Sequence, residues 1–271
     1  MWTNEGILMK RTRLIPIAFS CVAGLAMMTG LAAANDTHTD KVMASFLKHV
    51  DTLDSVEASR KSEIKSSVEK LSQESPDAIT EGLIQLYPKY SQAVESSDAD
   101  SVTEAVELLS PLADSSDKYL AADASFYLAR ALMNNEQFED ALPRLEQLTG
   151  ELGKYTVHQG SAQYFIAVAQ AGLLKNDAAV QSFMRFLQFN PDAPERLRVS
   201  AWRQVQQIQS IQKGKLDDIY QRMDFSRRRL ELIETDEVTQ NEQDKIVGML
   251  TKLIKEAEKK ECSSNCKKGG T

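Results

Sequence analysis

The chain has 271 residues, of which 42% are hydrophobic, 26% charged and 7% aromatic, an ordinary globular composition and not that of a disordered or collagen-like polymer. Lys and Arg total 32 against 39 Asp and Glu, so no dominant basic footprint for nucleic acid or anionic lipid is available. Three Cys and three His supply few ingredients for metal chemistry.

Residues 1–34 read as a secretory signal peptide. Lys10, Arg11 and Arg13 precede an apolar run from Leu14 to Leu31 that closes on Ala32-Ala33-Ala34, the order of a basic n-region, an apolar h-region and a small-residue cleavage site. Pro16, Ser20, Gly24, Thr29 and Gly30 interrupt the run, which favours cleavage over retention as an anchor. Met9 is an alternative start to Met1. A lipid-modified Cys21 is the competing reading, opposed by Ala18-Phe19-Ser20-Cys21, which lacks a Leu three residues upstream. The expectation is an exported protein, periplasmic or secreted, with no stable membrane insertion after cleavage. Charge is uneven beyond the leader. Residues 35–191 hold 13 basic and 24 acidic side chains, whereas residues 192–271 hold 16 and 14.

Beyond the leader, apolar residues recur at spacings of three and four, not two, which predicts an all-α chain. An N-terminal helical segment is expected over 35–85. Within it residues 40–73 form one stretch carrying Val42, Phe46, Val50, Leu53 and Val56, resumed by Ile64, Val68 and Leu71. That stripe fits a helix laid on its own domain better than a coiled-coil seam, because it is short and broken and sets His49 at a seam position.

Repetition follows. Ala93, Ala129 and Ala167 each precede a second Ala by twelve residues, at Ala105, Ala141 and Ala179. Leu109, Leu145 and Phe183 come four residues later, and Leu112, Leu148 and Phe186 three beyond those. Two antiparallel helices approach within about 8–10 Å only where small side chains face each other and large ones fill the flanks. One pair cannot bury its apolar face alone, so pairs stack into a solenoid. Ala201, 34 residues after Ala167, marks Pro194–Ile211 as a capping helix with Leu197, Ala201, Val205 and Ile208 inward. A C-terminal hairpin is expected over 212–260, with Leu216, Ile219, Met223, Leu230 and Ile233 on one helix and Ile246, Met249, Leu250, Leu253, Ile254 and Ala257 on the other. A capping box is expected at Thr239 and Glu242. Residues 261–271 read as a flexible tail.

This spacing resembles the tetratricopeptide repeat (TPR), over residues 86–211. The third unit carries the pattern as Ile166-Ala167, Ala179, Phe183 and Asn190-Pro191, and the second as Leu128-Ala129, Leu132, Phe138 and Ala141. The sequence departs from it where Lys89, Ser125 and Gln163 replace the usual Trp, and where Asp100, Glu136 and Leu174 replace the Gly that ends the first helix. Pro111 is expected to kink or end its helix. The resemblance implies a concave groove that binds a protein or peptide, lined by Tyr90, Phe126 and Tyr164, with Tyr87, Asp123, Arg130, Asn134 and Trp202 beside them. Aromatic rings give such a groove contact area at little entropic cost. Packing of the rings between helices is the competing reading.

Candidate chemistry is sparse. Ser-x-x-Lys recurs along the chain, as at Ser45, Ser62, Ser67, Ser115 and Ser210, without the companion motifs that would make it a penicillin-binding signature. The histidines His38, His49 and His158 lack a second His or Cys at ligand spacing, so neither a metal nor a cofactor is expected. Arg227-Arg228-Arg229 reads as a solvated face paired at i, i+4 with Asp224 and Glu231. Cys262 and Cys266 are a candidate disulfide if the helix has unwound between them; intermolecular crosslinking, a redox pair and a two-thiolate site stay open. The function expected is non-catalytic binding in the cell envelope. The alternative is a structural homo-oligomer assembled through the N-terminal stripe and the C-terminal hairpin.

Overall fold

The computed structural model describes residues 37–72, 75, 77–98 and 102–265. The leader, Pro76 and Cys266 lie outside them. The described residues form twelve α-helices, one 3-10 turn and no strands, an all-α fold.

Three short helices come first among the described residues: α1 (His38–Asp51), α2 (Ala58–Leu71) and α3 (Ala78–Leu86). Thr37 and Asp40 cap α1 reciprocally, each satisfying the other's free backbone N–H, which fixes where the first turn begins. The single stretch expected over 40–73 is two helices. The Thr52 hydroxyl donates to the His49 carbonyl at 2.7 Å, and Lys65 reaches back to Asp51 at 2.9 Å, so the stretch 51–55, polar but for Leu53, turns the chain where a helix would have continued. Val42, Phe46 and Val50 meet Ile64, Val68, Ile79 and Leu83 in one core. Gly82 permits that meeting, since a Cβ there would lie 2.8 Å from Val68 Cγ2 and 2.9 Å from the Phe46 ring.

Helical pairs follow, α4 (Pro88–Asp98) with α5 (Val102–Ala113), α6 (Lys118–Asn134) with α7 (Phe138–Thr149), and α8 (Gln159–Gly172) with α9 (Asn176–Phe189), closed by α10 (Glu195–Ser210). Each packs on the next along the chain, and α6 also touches both α4 and α8. All six repeat alanines, with Leu109, Leu145 and Phe183, are fully buried, as close approach of paired helices demands. Pro111 sits inside α5, which ends at Ala113. The turns after α6 and α8 share a geometry. Glu136 and Leu174, 38 residues apart, both take φ of 57°, and the next residue's N–H reaches back five residues, Gln137 to Leu132 and Lys175 to Gln170, each at 2.9 Å. This is the left-handed helix ending that Gly usually provides; here ordinary L-residues carry it at a cost of about 1 kcal/mol each.

The described residues close with a hairpin of α11 (Leu216–Glu231) and α12 (Glu237–Asn265). Its cap falls three residues before the expected Thr239: Asp236 accepts from the Thr239 N–H at 3.1 Å, while Glu242 is drawn away to Arg222 and Lys245. The hairpin folds back on the α6–α7 turn through Arg227 and Arg228. Along the opposite edge, where α5–α6 and α7–α8 connect, α1 docks through His49 on Asp117 and His38 on the Thr156 carbonyl, both at 2.9 Å.

Candidate functional site

The row of rings is real, but it runs into the protein. Tyr90 is fully buried and its hydroxyl donates to Asp123 at 2.8 Å, one unit further on. Phe126 is buried and stacks on His158, ring centroids 3.9 Å apart and nearly parallel. Tyr164 is half-buried, wedged against Phe183 and Phe186, with its hydroxyl 2.8 Å from Ser200 of α10. Each ring therefore joins its own unit to the following one. The groove assignment of Tyr90, Asp123 and Phe126 is corrected on that ground: buried between stacked pairs, they present no surface to a partner. A spacing that places a residue on one helix face does not say whether solvent or the next helix lies opposite.

The flanking residues divide. Tyr87 is half-buried and donates to Asp117 at 2.5 Å. Arg130 is half-buried over the Phe126 and Tyr127 rings, 5.9 and 5.2 Å from their centroids, and Asn134 is half-buried beside the α6–α7 turn. Trp202 alone of the eight is exposed, by 52%. Ser200 faces α8, and a residue two positions on points some 160° away around a helix, so Trp202 looks toward the open end of the row.

Two Tyr–Asp–His clusters emerge from these contacts. In one, Asp117 caps α6 by accepting from the N–H groups of Tyr119 and Leu120 and also binds Tyr87 and His49. Burial opposes ionisation of Asp117, yet hydrogen bonds from Tyr87 and His49 outweigh it and hold the carboxyl below its ordinary value. In the other, Asp123 accepts from Tyr90 and lies 3.1 Å from His158 Nε2. Burial, then the Asp123 charge, push the Tyr90 hydroxyl well above its usual range, and burial pushes Tyr127 up to about 12. Sequence reasoning missed Asp117, His49 and His158 as a set. The one signal was Ser115-x-Asp117 just ahead of an Ala-rich helix, an N-cap pattern.

The three consecutive arginines are not uniformly solvated. Arg227 pairs with Glu231 at i, i+4 on its own helix, as expected, and takes Asp224 at i, i+3, for which Arg228 was the expected partner. Arg228 and Arg229 are instead buried and converge on Glu139 of α7, Arg228 with both nitrogens at 2.7 and 2.9 Å and Arg229 at 2.7 Å. Burial works against the Glu139 charge, but the Arg228 guanidinium holds its carboxyl below the ordinary value. Cys262 is exposed, and α12 stays helical through Asn265, so the unwinding that a bridge to Cys266 requires is not seen up to that residue.

What remains open is the surface beyond α8. Every large apolar side chain that is at least 36% exposed among the described residues lies at or after Met184: Met184 and Phe189 on α9, Val199 and Trp202 on α10, and the rest on or beside α11 and α12. Among the described residues no three His, Cys, Asp or Glu side chains are grouped to hold a metal ion, and no helix is long and apolar enough to cross a membrane. No protein-family model, curated protein or solved structure matches the chain.

Proposed function

We propose that this chain is a non-catalytic protein-binding scaffold, exported to the cell envelope, built on TPR-like helical pairs, and that it meets its partner through its C-terminal half. The observation that carries this reading is the segregation of exposed apolar side chains at and after Met184. Monomeric proteins rarely leave such side chains clustered unless something covers them. The buried rings supply rigidity instead: each ties one helical pair to the next, and a rigid support lowers the entropic cost of binding. Export rests on the order of charge, apolar run and small residues in the first 34 positions.

Lysines occur in both halves, including Lys41, Lys61, Lys89, Lys213, Lys252 and Lys255, so amine-reactive crosslinking in the native host, followed by mass spectrometry, samples both. Crosslinks to other proteins are expected at Lys213, Lys245, Lys252 and Lys255. Crosslinks confined to Lys41–Lys89 would overturn the reading. The oligomer alternative loses its N-terminal half, because Val42, Phe46 and Val50 are buried within the chain.

A further inference from the structure

The hairpin carries more apolar surface than its own pairing uses. On α11, Ile219 and Ser226 are buried, while Leu216, Met223 and Leu230, seven residues apart, and Tyr220 between them are 44–69% exposed. On α12, Ile246 and Thr239 are buried, while Val247, Leu250 and Ile254, spaced three and four, are 36–62% exposed. Each helix thus bears a buried seam of mixed character and, beside it, an exposed apolar one. Helices with a seven-residue seam pack knobs into holes on a neighbour with the same spacing.

The unfilled seams share one side of the hairpin. Helical rotation puts Leu216, Tyr220, Met223 and Leu230 on the same rotational side of the inner seam as Val247, Leu250 and Ile254 are on theirs. Because the helices run antiparallel, that common sense of rotation brings both stripes to one face, two helices wide. The hairpin is fastened by Arg228 and Arg229 away from this face; Arg227, between Met223 and Leu230 on the α11 stripe, reaches Glu136 of the α6–α7 turn, so the solenoid touches one margin of the face and Leu216, Tyr220 and Met223 carry its α11 half.

Resting on the reading of the C-terminal half as the contact surface, we infer that this face docks on the same face of a second copy, closing a four-helix bundle about a two-fold axis parallel to the helices. The occupant must be two helices wide, antiparallel and spaced by sevens, which the hairpin itself is. Charge agrees. The outer edge of α11 carries Asp217, Asp224 and Glu231 at every seventh residue, the last two paired with Arg227, so α11 on α11 sets the two Asp217 carboxylates against each other, whereas this axis seats α11 on α12 of the other copy. Lys215 pairs with Glu256 within the hairpin, so residues 215–217 and 255–256 lie level; rotation about an axis along the helices keeps that level and sets Asp217 opposite Lys255 of the other copy. Asp244 and Glu258 share the α12 edge, so the match is local to Lys255.

Sedimentation equilibrium of the purified protein is the test, with a dimer expected at a Kd of about 10 µM or below. Met223→Glu and Ile254→Glu, at exposed positions, should each weaken the dimer by roughly tenfold or more with unchanged thermal melting. Asp217→Lys or Lys255→Glu alone should weaken it a few-fold, and the two together should restore it. A monomer at concentrations of about 100 µM, or a dimer indifferent to Met223→Glu and Ile254→Glu, overturns the inference. A monomer that still crosslinks to other proteins at Lys213–Lys255 would sink the second copy and leave the scaffold reading standing.

Discussion

Between Val42 and Ala169 the apolar side chains of α1–α3 and of the first helical pairs share one core, whereas the second core, from Ala167 to Ile208, is smaller and has Phe189, Val199 and Trp202 open beside it. Apolar content does not separate the two regions; neighbour count does. In the first, α6 is covered by α4, α5, α7, α8 and α3, and nearly every residue from Tyr119 to Met133 is buried. In the second, α10 packs on α9 and has no second helix of its own, because Lys213-Gly214-Lys215 turns the chain away, with Gly214 at φ 74°. The same repeat pattern is enclosed where helices surround it and leaves apolar side chains open where they stop.

Substitutions in the enclosed region should cost stability without touching binding, and those in the open region the reverse. The largest effect belongs to Phe46→Ala. Phe46 is fully buried, edge-on to Tyr119 with ring centroids 5.3 Å apart and close against Gly82, so truncation should remove about 3–5 kcal/mol, read by urea unfolding. A loss under about 1 kcal/mol would show that α1 is loosely laid on the solenoid.

Arg228→Ala comes next. It strands Glu139, one-third exposed, beside a single remaining arginine, and about 2 kcal/mol is expected, less than for a fully buried pair. Hydrogen exchange should accelerate in α11 and α12 and not in α4–α6. The sign of the pH dependence follows from the direction of the shift. Glu139 ionises more readily when folded, so it stabilises above its ordinary value of 4.5, and that contribution fades as pH falls through the depressed folded value. Wild-type hairpin docking should weaken on acidification below 4.5, and the variant should lose much of that dependence.

Much of the fold was legible in the sequence because close packing leaves a residue-type signature. Alanine at twelve-residue couples, with Leu or Phe beyond, admits few arrangements but paired helices, and all six alanines are buried. The helix ends at Glu136 and Leu174 were harder, since neither residue announces a left-handed turn; the resemblance marked only that Gly was missing. The direction of the rings was not legible. Tyr90, Phe126 and Tyr164 share a face by spacing, but what lies opposite depends on Asp123, His158 and Ser200, 32–36 residues on, and on how far each pair rotates against the next. Arg228 and Arg229 misled for a related reason. Local i, i+4 partners were visible in sequence, whereas Glu139, 89 residues away from Arg228, was not.

A smaller effect separates the two readings of the rings. Tyr90→Phe keeps the ring and removes the hydroxyl that donates to Asp123, leaving one lone pair of a buried carboxylate unmet, at about 1–2 kcal/mol. If Tyr90 joins units, thermal stability falls by that amount while partner capture through the C-terminal half is unchanged. Unchanged stability with weakened capture would return the ring to a groove.

Trp202→Ala should have the least effect on stability and the greatest on recognition. Half of the indole faces water, so little packing is lost on truncation and the change should stay within about 0.5 kcal/mol. On the binding side the same side chain is a large, stiff apolar surface at the open end of the row, flanked by the exposed Arg198 and Arg203, and residues of this kind are where interface energy concentrates, commonly about 2 kcal/mol or more each. Loss of crosslinks at Lys213 with an unaltered melting curve would place the contact on α10. Retained crosslinks at Lys213 would place the partner's contact elsewhere in the C-terminal half, on surface that a hairpin dimer leaves open, and the open end of the solenoid would then be a terminus and nothing more.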